Sequence, residues 1–266
     1  MLLSNEVFVR CTSNRTRTLY DPVVGLAVPF GHMARTERAH ESKARLSTER
    51  VLHSALTLAQ RDGIESLTMR KLAEDLGVAA MTLYHYVPNK ERLLDGMVDL
   101  VFAEIELPTT DVDWKTALRR RALSTREALN RHRWAVGLME SRTTPGRASL
   151  RLHNAVLGCL REAGFSVELT IQAYSAQDAY IYGFALQEKS VPFETAEESA
   201  AVAEEQYREY DELADERQMG ELAEEFPYLA EVVAGHVAKV GYDFASAFEY
   251  GLDLILDALE QRRGTS

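Results

Sequence analysis

Hydrophobic residues recur along most of the chain at the three- and four-residue spacing of amphipathic helices. In the first half this spacing predicts four helices, at residues 46–63, 68–77, 78–87 and 89–107. Ser47 or Thr48 can cap the first helix and Thr68 the second, and the glycines at 63 and 77 can end them. Pro108 stops the fourth helix.

The second half continues the helical pattern. One or two helices are predicted between residues 110 and 142, broken near His132, and others over residues 147–164, 166–191 and 243–263. The acidic segment of residues 188–231 is expected to be helical only in parts. Residues 1–45 lack a sustained period and are predicted to be a flexible extension. No alternating β-branched runs stand out, so the predicted fold class is all-α.

The second and third predicted helices are separated by a tight turn at Gly77, which suits a helix-turn-helix. Leu72 and Ala73 can pack against Leu83 and Val87. Once Leu83 points inward, its neighbours must spread over the other faces of the short third helix. The sequence therefore predicts that the third helix enters the major groove while the second crosses the phosphate backbone.

The side chains around the third helix suit contacts with DNA. Met81 and Thr82 can touch thymine methyl groups. The hydroxyls of Tyr84 and Tyr86 can reach phosphates, and His85 can contact a base or a phosphate. These contacts explain why so many aromatic residues share one short segment.

Three residues outside the third helix extend this predicted surface. Arg70 can reach a guanine edge or a phosphate, and Lys90 can reach a phosphate. Thr68 places free N–H groups of a helix N-terminus where a phosphate can lie. The competing interpretation is an ordinary corner between two helices that carries some surface aromatics.

The distribution of charge permits DNA binding although the net charge is −11. Residues 1–90 contain twelve basic and nine acidic residues, whereas residues 188–231 contain fifteen acidic and three basic ones. Because the excess acid lies in the late segment, the N-terminal third can still approach a polyanion.

The run LTMRKLAEDLGVAAMTLYHYVPNKERLLDGMVD resembles the DNA-binding domain of the TetR family of transcriptional repressors. The shared pattern is L-T-x-R-x-L-A-x-x-L-G-V, then T-L-Y-x-y-V-x-N-K and a helix beginning L-L. Residues 142–188 more weakly resemble the ligand-binding and dimerisation domain of the tetracycline-responsive branch. The resemblance implies a three-helix helix-turn-helix DNA-binding domain at 46–92, after the extension at 1–45. It also implies a larger helical effector-binding and dimerisation domain at 93–266.

Carried over by position, the family's DNA contacts fall on Thr68, Arg70, Ala80, Met81, Thr82, Tyr84, His85, Tyr86 and Lys90. Ala79 departs from the family, where a serine commonly caps the third helix, and a lost cap costs about 1 kcal/mol. Ala80 stands where the tetracycline-responsive branch has a base-reading glutamine. We therefore expect this protein to read an operator of its own, mainly through Arg70, Thr82 and His85.

The resemblance further implies a homodimer that binds a palindromic double-stranded DNA operator. Residues 169–188 and 244–260 match the two helices that form a four-helix interface in the family. Both stretches have apolar faces broader than one neighbour needs, although they could instead form the core of a single domain.

An effector pocket is implied among the helices between residues 102 and 177. The predicted ligand contacts and pocket walls are Glu106, Arg121, Trp134, Glu140, Val156 and Gln177. Core packing is the stronger alternative for Trp134, and His132 and His153 are expected to be surface or internally satisfied histidines. The histidine that binds the drug's magnesium in the tetracycline-responsive branch has no counterpart here. We therefore predict a different small organic effector, with no metal and no cofactor.

Two other functional classes compete with a repressor released by its effector. One is a helix-turn-helix protein with an architectural or protein-contact role, and the other is an enzyme built on a helical bundle. The sequence has no zinc-protease, phosphate-loop or nucleophile-elbow motif, so no enzyme is predicted. Two unpaired cysteines and the lack of an apolar run of about 20 residues favour a cytoplasmic protein without a membrane partner.

Overall fold

The computed structural model describes residues 46–139, 144–191, 193, 195–213, 216–233, 235 and 241–264. Within these ranges every regular element is a helix, which confirms the predicted all-α class. None of the helices described there is both long and apolar enough to cross a membrane. The extension predicted at residues 1–45 lies outside the described residues.

The first three helices form the predicted helix-turn-helix. They are α1 (Thr48–Asp62), α2 (Met69–Leu76) and α3 (Ala80–Leu83). Their shared core includes Leu72 and Leu83, both with no exposed surface. Gly77 ends α2 in the left-handed conformation, with φ of 67°, which glycine adopts without steric cost.

The third helix is shorter than the predicted segment of residues 78–87. Turns replace it after Leu83, where the amides of Tyr86 and Val87 both donate to the Leu83 carbonyl (2.9 and 2.8 Å). Pro88 then offers no amide for a further turn. At the N-terminal end of α3, Ala79 makes no side-chain capping bond, because a methyl group cannot accept a hydrogen bond.

Helix α4 (Lys90–Ala103) joins the helix-turn-helix to the rest of the chain. It packs against α1 on one side and against α7 (Arg147–Glu162) on another. Gly96 allows the close approach to α1, because a Cβ there would lie 2.6 Å from a methyl carbon of Leu52. The domain boundary predicted after residue 92 falls inside this continuous helix.

The next helices continue the same hydrophobic core. They are α5 (Trp114–Arg131), α6 (Val136–Met139), α7 and α8 (Val167–Ser190). The chain breaks at His132 as predicted, and this histidine is 3% exposed. The amide of Gln60 donates to Nδ1 of His132 (3.1 Å), so Nε2 carries the proton and donates to Glu104 (2.8 Å). His132 is therefore internally satisfied and links α1, α4 and α5.

The acidic segment is more helical than predicted. It contains α9 (Ala196–Leu213), α10 (Glu216–Glu225) and α11 (Pro227–Val232). At the start of α9, the Thr195 hydroxyl accepts from the Glu198 amide (3.1 Å), and the Glu198 carboxylate accepts from the Thr195 amide (3.3 Å). This reciprocal capping box, with many alanine, glutamate and leucine residues, favours a helix without much burial.

The last helix, α12 (Phe244–Arg263), packs against α8. The ring of Tyr180 stacks on Phe248 with centroids 5.4 Å apart, and its hydroxyl donates to the Phe248 carbonyl (2.9 Å). Gly251 leaves room for this hydroxyl, since a Cβ there would lie only 2.3 Å from it. Arg126 of α5 lies over the Phe248 ring at 5.5 Å. The aromatic and cationic contacts thus hold three helices together.

Candidate DNA-binding surface and effector cavity

One exposed face of the helix-turn-helix carries most of the residues predicted to contact DNA. We call it the recognition surface, and it consists of Thr68, Arg70, Met81, Thr82, Tyr84, His85 and Lys90. All are exposed except Thr82, which is half-buried. Met81 is 74% exposed, which is unusual for a large apolar side chain. The recognition surface therefore combines exposed apolar, aromatic, hydroxyl and cationic groups.

Two further residues predicted to contact DNA are less exposed than the recognition surface. Ala80 and Tyr86 are half-buried and pack against the hydrophobic core. Tyr86 also accepts a long hydrogen bond at its carbonyl from the hydroxyl of Thr48 (3.5 Å). Because Thr48 lies in α1, this bond connects the turn after α3 to α1. The DNA contacts of Ala80 and Tyr86 stay a prediction.

The guanidinium of Arg70 is held only loosely. Its side chain is 88% exposed and its Nε donates to Glu74, one turn along α2 (3.0 Å). An exposed pair of this kind contributes less than about 1 kcal/mol, so Arg70 can leave it for a base or a phosphate. The hydroxyl of Thr68 caps α2 by accepting from the Lys71 amide (3.1 Å).

Ion pairs fix α2 against α1 behind the recognition surface. The Lys71 ammonium lies 2.7 Å from the Asp62 carboxylate, and Arg61 pairs with Asp62 at 2.9 Å. Hydrogen bonds from Arg61 and then Lys71 hold the pKa of the Asp62 carboxyl well below its usual range. The pair between Lys71 and Asp62 thus connects α2 to α1.

The helix-turn-helix is not broadly basic. Residues 46–92 contain six basic and six acidic side chains, so their formal charges cancel. Non-specific attraction to phosphates grows with the number of cationic contacts. Binding by this surface must therefore depend on a few well-placed groups more than on bulk charge.

A cavity of about 660 Å³ lies between α4, α6, the turn before α7, α7 itself and α8. Its size is typical of a site for a small organic molecule. It is lined by Asp95, Val98, Asp99, Phe102, Met139, Thr144, Pro145, Gly146, Ser149, His153, Tyr174, Ser175, Asp178, Ala179 and Tyr182.

None of the predicted effector contacts that the structure describes is in the wall of this cavity. Glu140 lies outside the described residues. Glu106 is exposed beyond the end of α4, and Val156 is fully buried in the core. Trp134 is buried with its ring edge-on to His132, at 6.0 Å between centroids, which agrees with the core-packing alternative.

Arg121 and Gln177 are also fully buried, and Gln177 precedes the lining residue Asp178 in sequence. The Arg121 Nη2 atom donates to Asp178, a lining residue, at 2.7 Å. Among the described residues, the Arg121 Nε and Nη1 atoms and both amide atoms of Gln177 have no hydrogen-bond partner. Burial and the neighbouring Asp178 carboxylate raise the pKa of the Tyr174 phenol far above its usual value. This end of the cavity is therefore rich in buried polar groups.

The sequence analysis missed the polar residues that do line the cavity. Asp95 and Asp99 stand four residues apart on the otherwise apolar helix α4, a spacing that places two carboxylates on one face. His153, which was expected to be a surface or internally satisfied histidine, stands in the wall. Its ring makes edge-to-face contacts with Phe102 (5.9 Å) and Tyr174 (5.6 Å).

Comparisons with known proteins agree with this architecture. Residues 51–97 match the family described as bacterial regulatory proteins, tetR family, and residues 107–263 match the tetracyclin repressor-like C-terminal domain. The transcriptional repressor DrrR1 of Streptomyces coeruleorubidus is 31% identical over 230 residues, which are 84% of this chain and 82% of the relative.

Two solved structures extend the likeness to three dimensions. Apo ActR of Streptomyces coelicolor shares the fold with a TM-score of 0.66 at 23% identity, over 84% of this chain and 98% of ActR. A variant of TetR from Acinetobacter baumannii, solved in complex with minocycline, has a TM-score of 0.57 at 26% identity. That match covers 82% of this chain and 99% of the TetR variant. Because the C-terminal match alone spans more than half of the sequence, the chain belongs to the TetR family of bacterial regulatory proteins.

Proposed function

We propose that this protein is a transcriptional repressor that binds a palindromic operator as a homodimer and is released by a small organic effector. The observation that most directly supports the proposal is that one helix connects the recognition surface with the cavity. Helix α4 begins beside the recognition surface and further along lines the cavity with Asp95, Asp99 and Phe102. An occupant of the cavity therefore touches the element that connects to the helix-turn-helix.

The recognition surface would supply the contacts with DNA. Arg70 and Thr82 would read base edges, Met81 would contact thymine methyl groups, and Lys90 and Tyr84 would hold phosphates. All of these side chains except Thr82 are exposed in the described structure. We keep the division into a DNA-binding domain at 46–92 and an effector and dimerisation domain at 93–266 as part of this proposal.

The dimer would form through the outer faces of α8 and α12. Ile171 and Leu186 of α8 are 59% and 55% exposed, and Tyr250 and Leu254 of α12 are 69% and 55% exposed. Gly183, which lies between Ile171 and Leu186 in the sequence of α8, is also exposed, and no atom lies within 4 Å of the position that a Cβ would take there. A second copy would bury these apolar groups and set the two recognition surfaces one or more helical turns apart.

The effector would bind in the cavity and shift the population of conformations away from the one that fits the operator. A tenfold loss of operator affinity requires only about 1.4 kcal/mol of coupling. The likeness to the TetR variant solved with minocycline supports a small-molecule effector. We propose an effector other than a tetracycline, because the histidine that binds the drug's magnesium in the tetracycline-responsive branch has no counterpart in this sequence.

We also propose that the protein acts in the cytoplasm and has no catalytic activity. Its family is one of regulators, and its sequence carries no motif of the common hydrolase or phosphate-binding sites. The architectural alternative differs from repression in its DNA footprint, because a repressor protects a defined palindrome whereas an architectural protein need not.

The test is a selection of bound DNA from a random pool with the full-length protein, followed by footprinting at its own promoter. We expect a palindromic motif and a protected site that contains it. A Thr82→Val variant, which keeps the shape but loses the hydroxyl, should select a relaxed motif at the corresponding base pair. Enrichment of no motif, or protection without a palindrome, would contradict a repressor of this type.

A further inference from the structure

A hydrogen bond connects the helix-turn-helix with the rest of the chain, in addition to helix α4. Near the C-terminal end of α1, the Gln60 amide donates to Nδ1 of His132 (3.1 Å). His132 ends α5 and stands before α6, 72 residues along the chain from Gln60. The bond therefore joins the first helix of the helix-turn-helix directly to the break between α5 and α6.

His132 is held firmly on its own side of this bond. It is 3% exposed, and its Nε2 donates to Glu104 at the end of α4 (2.8 Å). Glu104 also accepts from Arg131 of α5 (3.0 Å), and the backbone amide of His132 donates to the Ala128 carbonyl (3.0 Å). A buried ring with both nitrogens engaged cannot turn without breaking a hydrogen bond. The ring therefore offers Gln60 an acceptor in a fixed position.

Helix α1 connects this bond with the recognition surface. At the N-terminal end of α1, the Thr48 hydroxyl makes its long bond to the Tyr86 carbonyl (3.5 Å), next to Tyr84 and His85 of the recognition surface. Gln60 stands near the opposite end. The helix has 15 residues, so its two ends are about 20 Å apart. A helix-turn-helix attached through α4 alone could pivot there, whereas a second attachment at the far end of α1 fixes its angle.

This angle matters because each recognition surface of a dimer must meet its own half-site. A rotation of α1 by about 5° moves its far end by roughly 2 Å. Opposite movements in two protomers change the separation of their recognition surfaces by roughly 3–4 Å, which is about the rise of one base pair. A contact that prevents small rotations of α1 therefore restricts the distance between half-sites that the dimer can bind.

We propose that the hydrogen bond between Gln60 and His132 sets the half-site spacing that this protein accepts. The proposal rests on the proposed function and adds a feature of the operator that the recognition surface alone does not determine. Binding to a palindrome with another spacing requires the helix-turn-helix to rotate and this bond to break. Gln60 and His132 are thus positioning residues, which act on DNA binding through α1.

The test uses labelled duplexes that carry the selected palindrome with its natural spacing, with one base pair added or removed at its centre, or with a single half-site. Full-length wild type should prefer the natural spacing. Gln60→Met keeps the length of an exposed side chain and removes its amide. Its affinity for the altered spacings should rise about two- to tenfold, because the hydrogen bond no longer has to break. Its affinities for the natural spacing and for the single half-site should stay within about twofold of wild type.

His132→Phe tests the same bond from its other side, since it keeps a ring and removes both nitrogens. The double variant Gln60→Met/His132→Phe should bind the altered spacings no tighter than His132→Phe alone, because both substitutions remove one bond. Gln60→Met changes an exposed residue and decides the question by itself if His132→Phe does not fold. The control Thr57→Val removes an exposed hydroxyl of α1 that bonds to the His53 carbonyl within the helix (3.0 Å), and it should keep the wild-type preference.

An unchanged ratio between the affinities of Gln60→Met for natural and altered spacings would overturn the proposal, as would a wild type that binds all spacings equally. An equal loss of affinity for every duplex, the single half-site included, would also overturn it, because that result indicates damage to the recognition surface and not a change of angle. In each of these cases wild type still binds its palindrome, so the proposed function stands. A wild-type protein that binds no palindrome is not the proposed repressor, and the spacing proposal fails with it.

Discussion

The buried pair of Arg121 and Asp178 allows the sharpest test of how the effector domain is held together. Arg121 has no exposed surface, and its Nη2 lies 2.7 Å from the carboxylate of Asp178, whose side chain is 13% exposed. In Arg121→Met the aliphatic stem remains but the charge is lost, so a nearly buried carboxylate loses its cation. Breaking a buried pair in this way costs about 3–5 kcal/mol.

This loss should be visible as a lower Tm. For a chain of this size, 1 kcal/mol corresponds to roughly 2–4 °C, so Arg121→Met should unfold about 6–20 °C below wild type. The double variant Arg121→Met/Asp178→Leu should regain most of the stability, because no charge is then left buried alone. All Tm values are to be compared at one protein concentration, since a dimer is stabilised by mass action.

Arg131→Met is the matched control. Arg131 stands on the same helix and pairs with Glu104 at 3.0 Å, but its side chain is 52% exposed. Its loss should cost less than about 1 kcal/mol. A Tm for Arg121→Met as close to wild type as that of Arg131→Met, together with lost effector binding, would refute the structural role. Arg121 would then be a ligand contact in the sense first predicted from sequence.

Three further predictions concern other parts of the molecule. Arg70→Ala should weaken operator binding by about 1–3 kcal/mol and relax specificity at one base pair, whereas Lys90→Ala should weaken binding to all DNA sequences and lower the slope of log affinity against log salt by about one. Both effects are measured by titrating labelled DNA at several salt concentrations, and equal binding by both variants and wild type would refute the assignment of these residues to DNA contacts. Gly77→Ala should lower the free energy of unfolding, measured with denaturant, by about 1–2 kcal/mol, because φ is positive at this position. Gly158→Ala lies inside α7 with open space at the Cβ and should leave the stability unchanged or raise it. A larger loss of stability for Gly158→Ala than for Gly77→Ala would contradict the turn geometry. Leu254→Glu should shift the protein towards monomers in analytical ultracentrifugation and weaken operator binding, and an unchanged dimer would move the interface away from α12.

Much of the helix-turn-helix follows from local sequence. The predicted capping residues Ser47 and Thr68 each bond within three residues of themselves, and the left-handed turn at Gly77 is a property of that residue. Such signals need no distant partner, so the pattern of residues predicts them. The exception is the end of α3, which stops at Leu83, and the Tyr86 carbonyl in the turn after it accepts a hydrogen bond from Thr48 of α1.

The effector cavity could not be predicted in the same way. Its wall brings together Asp99 of α4, His153 of α7 and Tyr174 of α8, which are separated by more than fifty and by about twenty residues in sequence. Transfer of contacts by position put one ligand contact on Val156, which is fully buried in the core. Hydrophobic periodicity determines that a helix forms and which face turns inward. Only the crossing of helices remote in sequence decides which inward side chains fill the core and which line a cavity.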